Sequence, residues 1–109
     1  MFESQQAFDH IDEIMSVPGI HAVALGPSDL APELGGVGTP DQAKVIDDYR
    51  TWLIEAAQRH GLDVSMLVGS IEQGEQWIRA GAKIICYSSE VDILRRGMTE
   101  AATRLHATE

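Results

Sequence analysis

Three short apolar runs punctuate this chain: IHAVALG at residues 20–26, DVSMLVG at 63–69 and KIICYSS at 83–89, each followed by a stretch with helical spacing. Brief, almost wholly apolar runs are what parallel strands buried on both faces look like, and strands alternating with helices join as a parallel sheet with right-handed crossovers. A parallel sheet needs helices on both faces or closure into a barrel, and a (β/α)8 barrel takes about 250 residues. At 109 residues the chain supplies fewer than half of one. The fold class expected is therefore α/β with about three parallel strands, as part of a barrel or as an open three-stranded sandwich. The open form leaves two apolar edges unpaired, which invites association with another chain.

The helices between these runs read clearly. Ala7, Phe8, Ile11, Ile14 and Met15 recur at three- and four-residue steps and predict one helix over residues 5–17 with Ser4 as its N-cap. After the first apolar run, one helical turn is expected from Ser28 to about Glu33. GGVG at 35–38 reads as a flexible connector or a lid. In TPDQ, Thr39 is placed to cap a helix with Pro40 at its first position and Gln42 completing a capping box, and that helix should run to His60 and stop at Gly61. Its apolar stripe is Ala43, Ile46, Trp52, Leu53, Ala56 and Ala57, with Asp47, Asp48, Arg50 and Glu55 facing outward. Ser70 and Gln73 repeat the capping box before a helix carrying Trp77 and Ile78. A last helix over residues 91–106 presents Ile93, Leu94, Met98, Ala101, Ala102 and Leu105. No linker or low-complexity tract interrupts the series, so residues 1–109 read as a single domain.

Charge narrows the function classes. With 8 Lys+Arg against 17 Asp+Glu the net charge is −9, which makes nucleic acid and anionic membrane poor partners. No run approaches the roughly 18 apolar residues of a membrane helix. The single cysteine, Cys86, has no internal disulfide partner and sits among apolar neighbours, as a buried inert thiol would. Together these favour a cytoplasmic setting.

The residues that carry chemistry lie at strand ends. GPSDLAPELG follows the first apolar run, where α/β folds place their ligands, and the amides of Ser28 and Asp29 would open a helical turn, an arrangement suited to a carboxylate or phosphate. Asp29 reads equally as a plain helix cap. Glu3, in MFES, adds a second carboxylate, and a hard divalent cation wants two or more carboxylate oxygens plus waters. Glu3 alone also reads as a solvated charge near a helix start.

MFESQQAFDHIDEIMSVPGIHAVALGPSDLAPELG resembles the HpcH/HpaI class II aldolase family of pyruvate-dependent lyases, in which one strand ends in QIES or QIET and the next in GPSDL or GPADL. The wording is closest to the 2-dehydro-3-deoxyglucarate and 4-hydroxy-2-oxoheptanedioate aldolase branches. WIRAGAKIICYSSEVDILRRG is similar to the family's closing segment, so the resemblance spans nearly the whole chain. It implies the C-terminal part of a (β/α)8 TIM barrel. It also implies a divalent metal, magnesium, manganese or cobalt, held at Glu3 and Asp29, with the carboxylate of pyruvate against the amides of Ser28 and Asp29. The implied reaction is reversible cleavage of a 4-hydroxy-2-oxo acid to pyruvate, or a related 2-oxo acid, and an aldehyde, in a homo-oligomer whose subunits exchange their last helix. Neither Lys44 nor Lys83 is expected at a strand's carboxyl end, which disfavours Schiff-base chemistry.

The match has gaps. The family's general-base histidine and substrate-binding arginine come from the amino-terminal half of the barrel, which this sequence does not contain, and Met1 stands where the family often has glutamine. His10, His21, His60 and His106 are expected on helix surfaces, a strand entry and a helix end. Two readings follow: a lyase that works when the other half is supplied by a longer product or another chain, or a non-catalytic α/β module that binds metal or small carboxylates, or assembles with itself.

Overall fold

The computed structural model describes residues 1–35 and 38–108. The chain opens with two short helices, α1 (Gln5–Asp9) and α2 (Ile11–Met15). It continues through β1 (Ala22–Ala24), α3 (Pro27–Glu33), α4 (Gln42–His60), β2 (Asp63–Val68), α5 (Ile71–Ala80), β3 (Ile84–Tyr87) and α6 (Glu90–His106). The sheet order is β1-β2-β3, all parallel, with Val23 opposite Val64 and Met66 opposite Ile85. A further parallel bridge between Phe2 and Leu25 places the first residues beside β1, on the side away from β2. This is the expected α/β alternation of three parallel strands with helices.

The local signals explain most boundaries. Ser4 Oγ accepts from the Ala7 amide, Ser70 Oγ from the Gln73 amide and Ser89 Oγ from the Asp92 amide, so each of α1, α5 and α6 has the cap that its sequence carries. Gly61 ends α4 at φ 67°, a left-handed turn that a Cβ would strain. The single helix expected over residues 5–17 is interrupted at His10, whose φ and ψ of −110° and 25° leave the helical range. The long helix starts later than its capping box predicts: Asp41 is the N-cap, and Gln42 Oε1 accepts from the Gly38 amide instead. Of the GGVG connector, Gly36 and Val37 lie outside the described residues.

Burial departs from the strand reading. In β2 only Val64, Met66 and Val68 are fully covered, facing the helices, while Leu67 is 42% exposed. Ile84, Cys86 and Tyr87 on β3 are also exposed. The strands thus bury one face, and the other, lined by Ala24, Ser65, Leu67, Ile84 and Cys86, is the face that a closed barrel would fill with side chains. Cys86 is therefore exposed rather than buried, because no described element packs over it. The core lies between sheet and helices, where Phe8, Leu30, Leu53, Val64, Met66 and Val68 are fully buried. Trp77 is in that core as expected, whereas Trp52 rests at its edge, in ring contact with Phe8 and Tyr49.

Two expectations for the long helix fail. Ala43 is exposed, and Arg50, assigned to the outer face, is only 7% exposed. Residue 50 falls in the row Ile46, Arg50, Leu53, Ala57, the inward face at helical spacing, so the backbone carries the guanidinium inside whatever its polarity. The last helix shows the opposite departure: α6 buries no residue at all.

Candidate functional site at the strand ends

Parallel strands bring all their carboxyl ends to one edge, and here that edge carries Glu3, Gly26, Gly69 and Ser88. Phe2 and the strand-exit residues are laced together, the Phe2 amide donating to Ala24 O at 2.7 Å and the Gly26 amide to Phe2 O at 2.9 Å. The register that results sets Glu3 beside Gly26. A Cβ built on Gly26 would lie 2.6 Å from Glu3 Cγ and 2.7 Å from Oε1, so the carboxylate crosses the GPSD backbone where only glycine leaves room. The two stretches that the sequence separates by more than twenty positions are neighbours in space.

Ser28 and Asp29 occupy the first turn of α3, both exposed, with Pro27 at its start. Their amides have no acceptor inside the helix, as is general for a first turn, and the first amide of α3 to close onto the chain is that of Leu30, on Gly26 O at 3.1 Å. Behind them the site is braced from α1 and α4: Glu33 Oε1 accepts from the Gln5 amide at 3.0 Å, and the Tyr49 hydroxyl donates to Gln5 Oε1. Tyr49 in turn meets Phe8 edge-on, with ring centroids 4.7 Å apart.

Other candidates are placed elsewhere. His10 pairs with Glu13, and His60 with Asp12, at the start of α2. His21 precedes β1 at its amino end, and His106 closes α6. Lys83 stands before β3, within 4.0 Å of Asp63 at the amino ends of the strands, and Lys44 lies on the exposed surface of α4. Among the described residues no three His, Cys, Asp or Glu side chains gather as a metal cluster. Arg50 is the residue at this edge that the sequence reading passed over; its place in the inward row at 46, 50, 53 and 57 was the signal.

The model of the HpcH/HpaI aldolase/citrate lyase family matches residues 1–96. The chain belongs to that family. It is 30% identical over 103 residues to the 5-keto-4-deoxy-D-glucarate aldolase of Escherichia coli O6:H1 (strain CFT073), covering 92% of this chain and 39% of that one. Among solved structures, it superposes on the HpcH/HpaI aldolase from Desulfitobacterium hafniense DCB-2 with a TM-score of 0.81 and 28% identity, over 94% of this chain and 40% of that one. A family protein from Burkholderia cenocepacia J2315 gives a TM-score of 0.80 at 27% identity, with 95% and 40% covered. The chain thus spans about two fifths of the length of the relatives it matches, and its three strands are a portion of a TIM-barrel aldolase fold.

Proposed function

We propose that this chain contributes the metal- and carboxylate-binding edge of a lyase that cleaves a 4-hydroxy-2-oxo acid to pyruvate, or a related 2-oxo acid, and an aldehyde. The observation that carries the reading is the crossing of the Glu3 carboxylate over Gly26, which ties the ES and GPSD motifs into one site. Glu3 and Asp29 would hold the divalent cation, magnesium, manganese or cobalt. Two carboxylates without a third protein ligand fit a hard ion that keeps waters or takes oxygens from its substrate. When bound, such an ion supplies Lewis-acid stabilisation of charge on the 2-oxo oxygen. The amides of Ser28 and Asp29 would orient the substrate carboxylate, and Pro27 fixes their direction. Lys83 lies at the amino ends of the strands and Lys44 is exposed on α4, and neither lines the cavities at this edge, so the residues present support no Schiff base.

The four histidines lie away from the edge as well, so the base that moves the proton would come from outside these residues, in the remainder of a barrel. That placement also favours a second reading for the chain by itself: a module that binds a divalent ion or small carboxylates without turnover. Self-association fits either reading, since the apolar stripe of α6 is uncovered and would be buried against a second copy.

Calorimetric titration with manganese, followed by an assay coupling aldol cleavage to pyruvate release, tests both. The wild-type chain should bind the ion and Asp29→Ala should lose it. Equal titration of the two would overturn the site. Metal-dependent pyruvate release that appears once the remainder of the barrel is supplied supports the lyase, and binding with no release even then selects the module.

A further inference from the structure

Arg50 is a buried cation at the strand ends whose guanidinium is only partly satisfied. Its side chain is 8% exposed. Nη1 donates to Asp47 Oδ1 at 2.9 Å and Nη2 to Leu67 O at 3.2 Å, and the guanidinium carbon stands 5.5 Å from the centroid of the Trp77 ring. Nε is buried without an acceptor among the described residues. A guanidinium has five N–H groups in a rigid fork, and leaving one of them buried and unbonded is costly for a charged group. The structure holds it there beside two openings. One is a cavity of about 260 Å³ whose lining includes Pro27, Arg50, Gln73, Ser88, Ser89 and the acid Asp92; the other, of about 410 Å³, is bounded by Gln42, Asp47 and Arg50.

We propose that Arg50 anchors an oxyanion subsite in the smaller cavity, taking a single phosphate or carboxylate group of a small molecule. The loops after β2 and β3 supply it. Ser88 is held at φ 56°, in the left-handed region, with its amide on Val68 O at 2.7 Å, which turns its side chain toward α6. Arg96 from α6 spans the same loops, donating to Gly69 O at 2.9 Å and to Ser88 Oγ at 2.8 Å, and adds a second positive charge at the rim. The acids nearby are engaged: Asp92 with Ser89 and Arg95, Asp47 with Arg50 itself. A planar fork suits the paired oxygens of either anion, and the cavity is sized for a small group rather than a nucleotide. Neither Glu3 nor Asp29 lines this cavity, while Pro27 does, so the subsite adjoins the proposed metal edge without sharing its carboxylates.

The competing role for Arg50 is a strut clipping α4 to the end of β2. Nuclear magnetic resonance separates the two, following the Arg50 Nε–H signal and the amides of Gly69, Ser88 and Ser89 while the chain is titrated with inorganic phosphate and, separately, with malonate, against chloride at matched ionic strength. A subsite gives saturable shifts with one or both anions and none with chloride. Phosphate alone identifies a phosphate ligand, malonate alone a carboxylate. Arg50→Lys should weaken binding by about tenfold or more, because an ammonium cannot replace the fork. Asp47→Asn, which leaves Arg50 in place and removes its competing carboxylate, should tighten it and keeps the test decisive if Arg50→Lys does not fold. Flat titrations of both wild type and Asp47→Asn overturn the proposal, as does undiminished binding by a folded Arg50→Lys.

Discussion

The two long helices, α4 and α6, carry comparable apolar stripes and meet opposite fates. Of the 19 residues of α4, six are buried, among them Leu53, Ala56 and Ala57; of the 17 in α6, none is. Leu94, Met98 and Leu105 are 67–70% exposed. The projecting helix stretches the molecule to 60 × 28 × 20 Å, with a radius of gyration of 16.8 Å, against about 13 Å for a compact domain of this size. Amphipathic spacing states that a face needs cover; it does not say what covers it. For α4 the cover is β2 and α2 of the same chain, and for α6 none of the described residues provides it.

The largest effect that could break this contrast is a cavity. Leu53→Ala should lower stability by about 2–5 kcal/mol in urea unfolding, whereas Leu94→Ala should change it by no more than about 0.5 kcal/mol in a monomer. If Leu94→Ala costs as much as Leu53→Ala, α6 is covered in solution, and concentration dependence of the loss identifies a second copy as the cover. Next in size, Gly26→Ala forces Glu3 aside and should weaken manganese binding by about tenfold or more in calorimetry, while the fold persists because the new methyl meets only the Glu3 side chain and no backbone.

A smaller readout compares the covered and uncovered faces of the sheet. Cys86 should react with a disulfide reagent in the native chain at nearly the rate found in denaturant, because β3 is open. Protection would mean that this face is occupied.

The least effect is expected at the surface pair joining α2 to α4. Hydrogen bonds from His60 and then Arg59 hold the Asp12 carboxyl below its ordinary value of 3.8. A depressed folded value means that the contribution is complete at neutral pH and is lost as pH falls through the unfolded and then the folded value. Asp12→Asn should flatten that acid limb in a thermal melt series and leave the neutral-pH melting temperature little changed, the group being exposed.

Most of the architecture was legible because the signals are local. The caps at Ser4 and Ser70 and the left-handed stop at Gly61 depend on a few neighbouring residues, and each forms where the local sequence places it. His10 was missed because the 3.6-residue period continues across it while the backbone does not. Arg50 was missed because polarity was allowed to outweigh position: the row at 46, 50, 53 and 57 is inward, and a guanidinium with a carboxylate, a carbonyl and a ring face can be carried there. Of the candidate site, the meeting of the two motifs was an expectation of the resemblance, the passage of Glu3 across Gly26 was not legible, and the ligand roles of Glu3 and Asp29 stay a proposal.

By itself the sequence determined the alternation of strands and helices, the caps that bound them, and family membership through two strand-end motifs, because these rest on residue type and spacing within a turn or two of chain. Only the tertiary structure decided that Glu3 lies across Gly26, that Arg50 is buried while the stripe of α6 is not, and that the sheet covers one face. Each of those is a matter of which surfaces distant parts of the chain bring together, and burial is a property of the pair of surfaces rather than of either one.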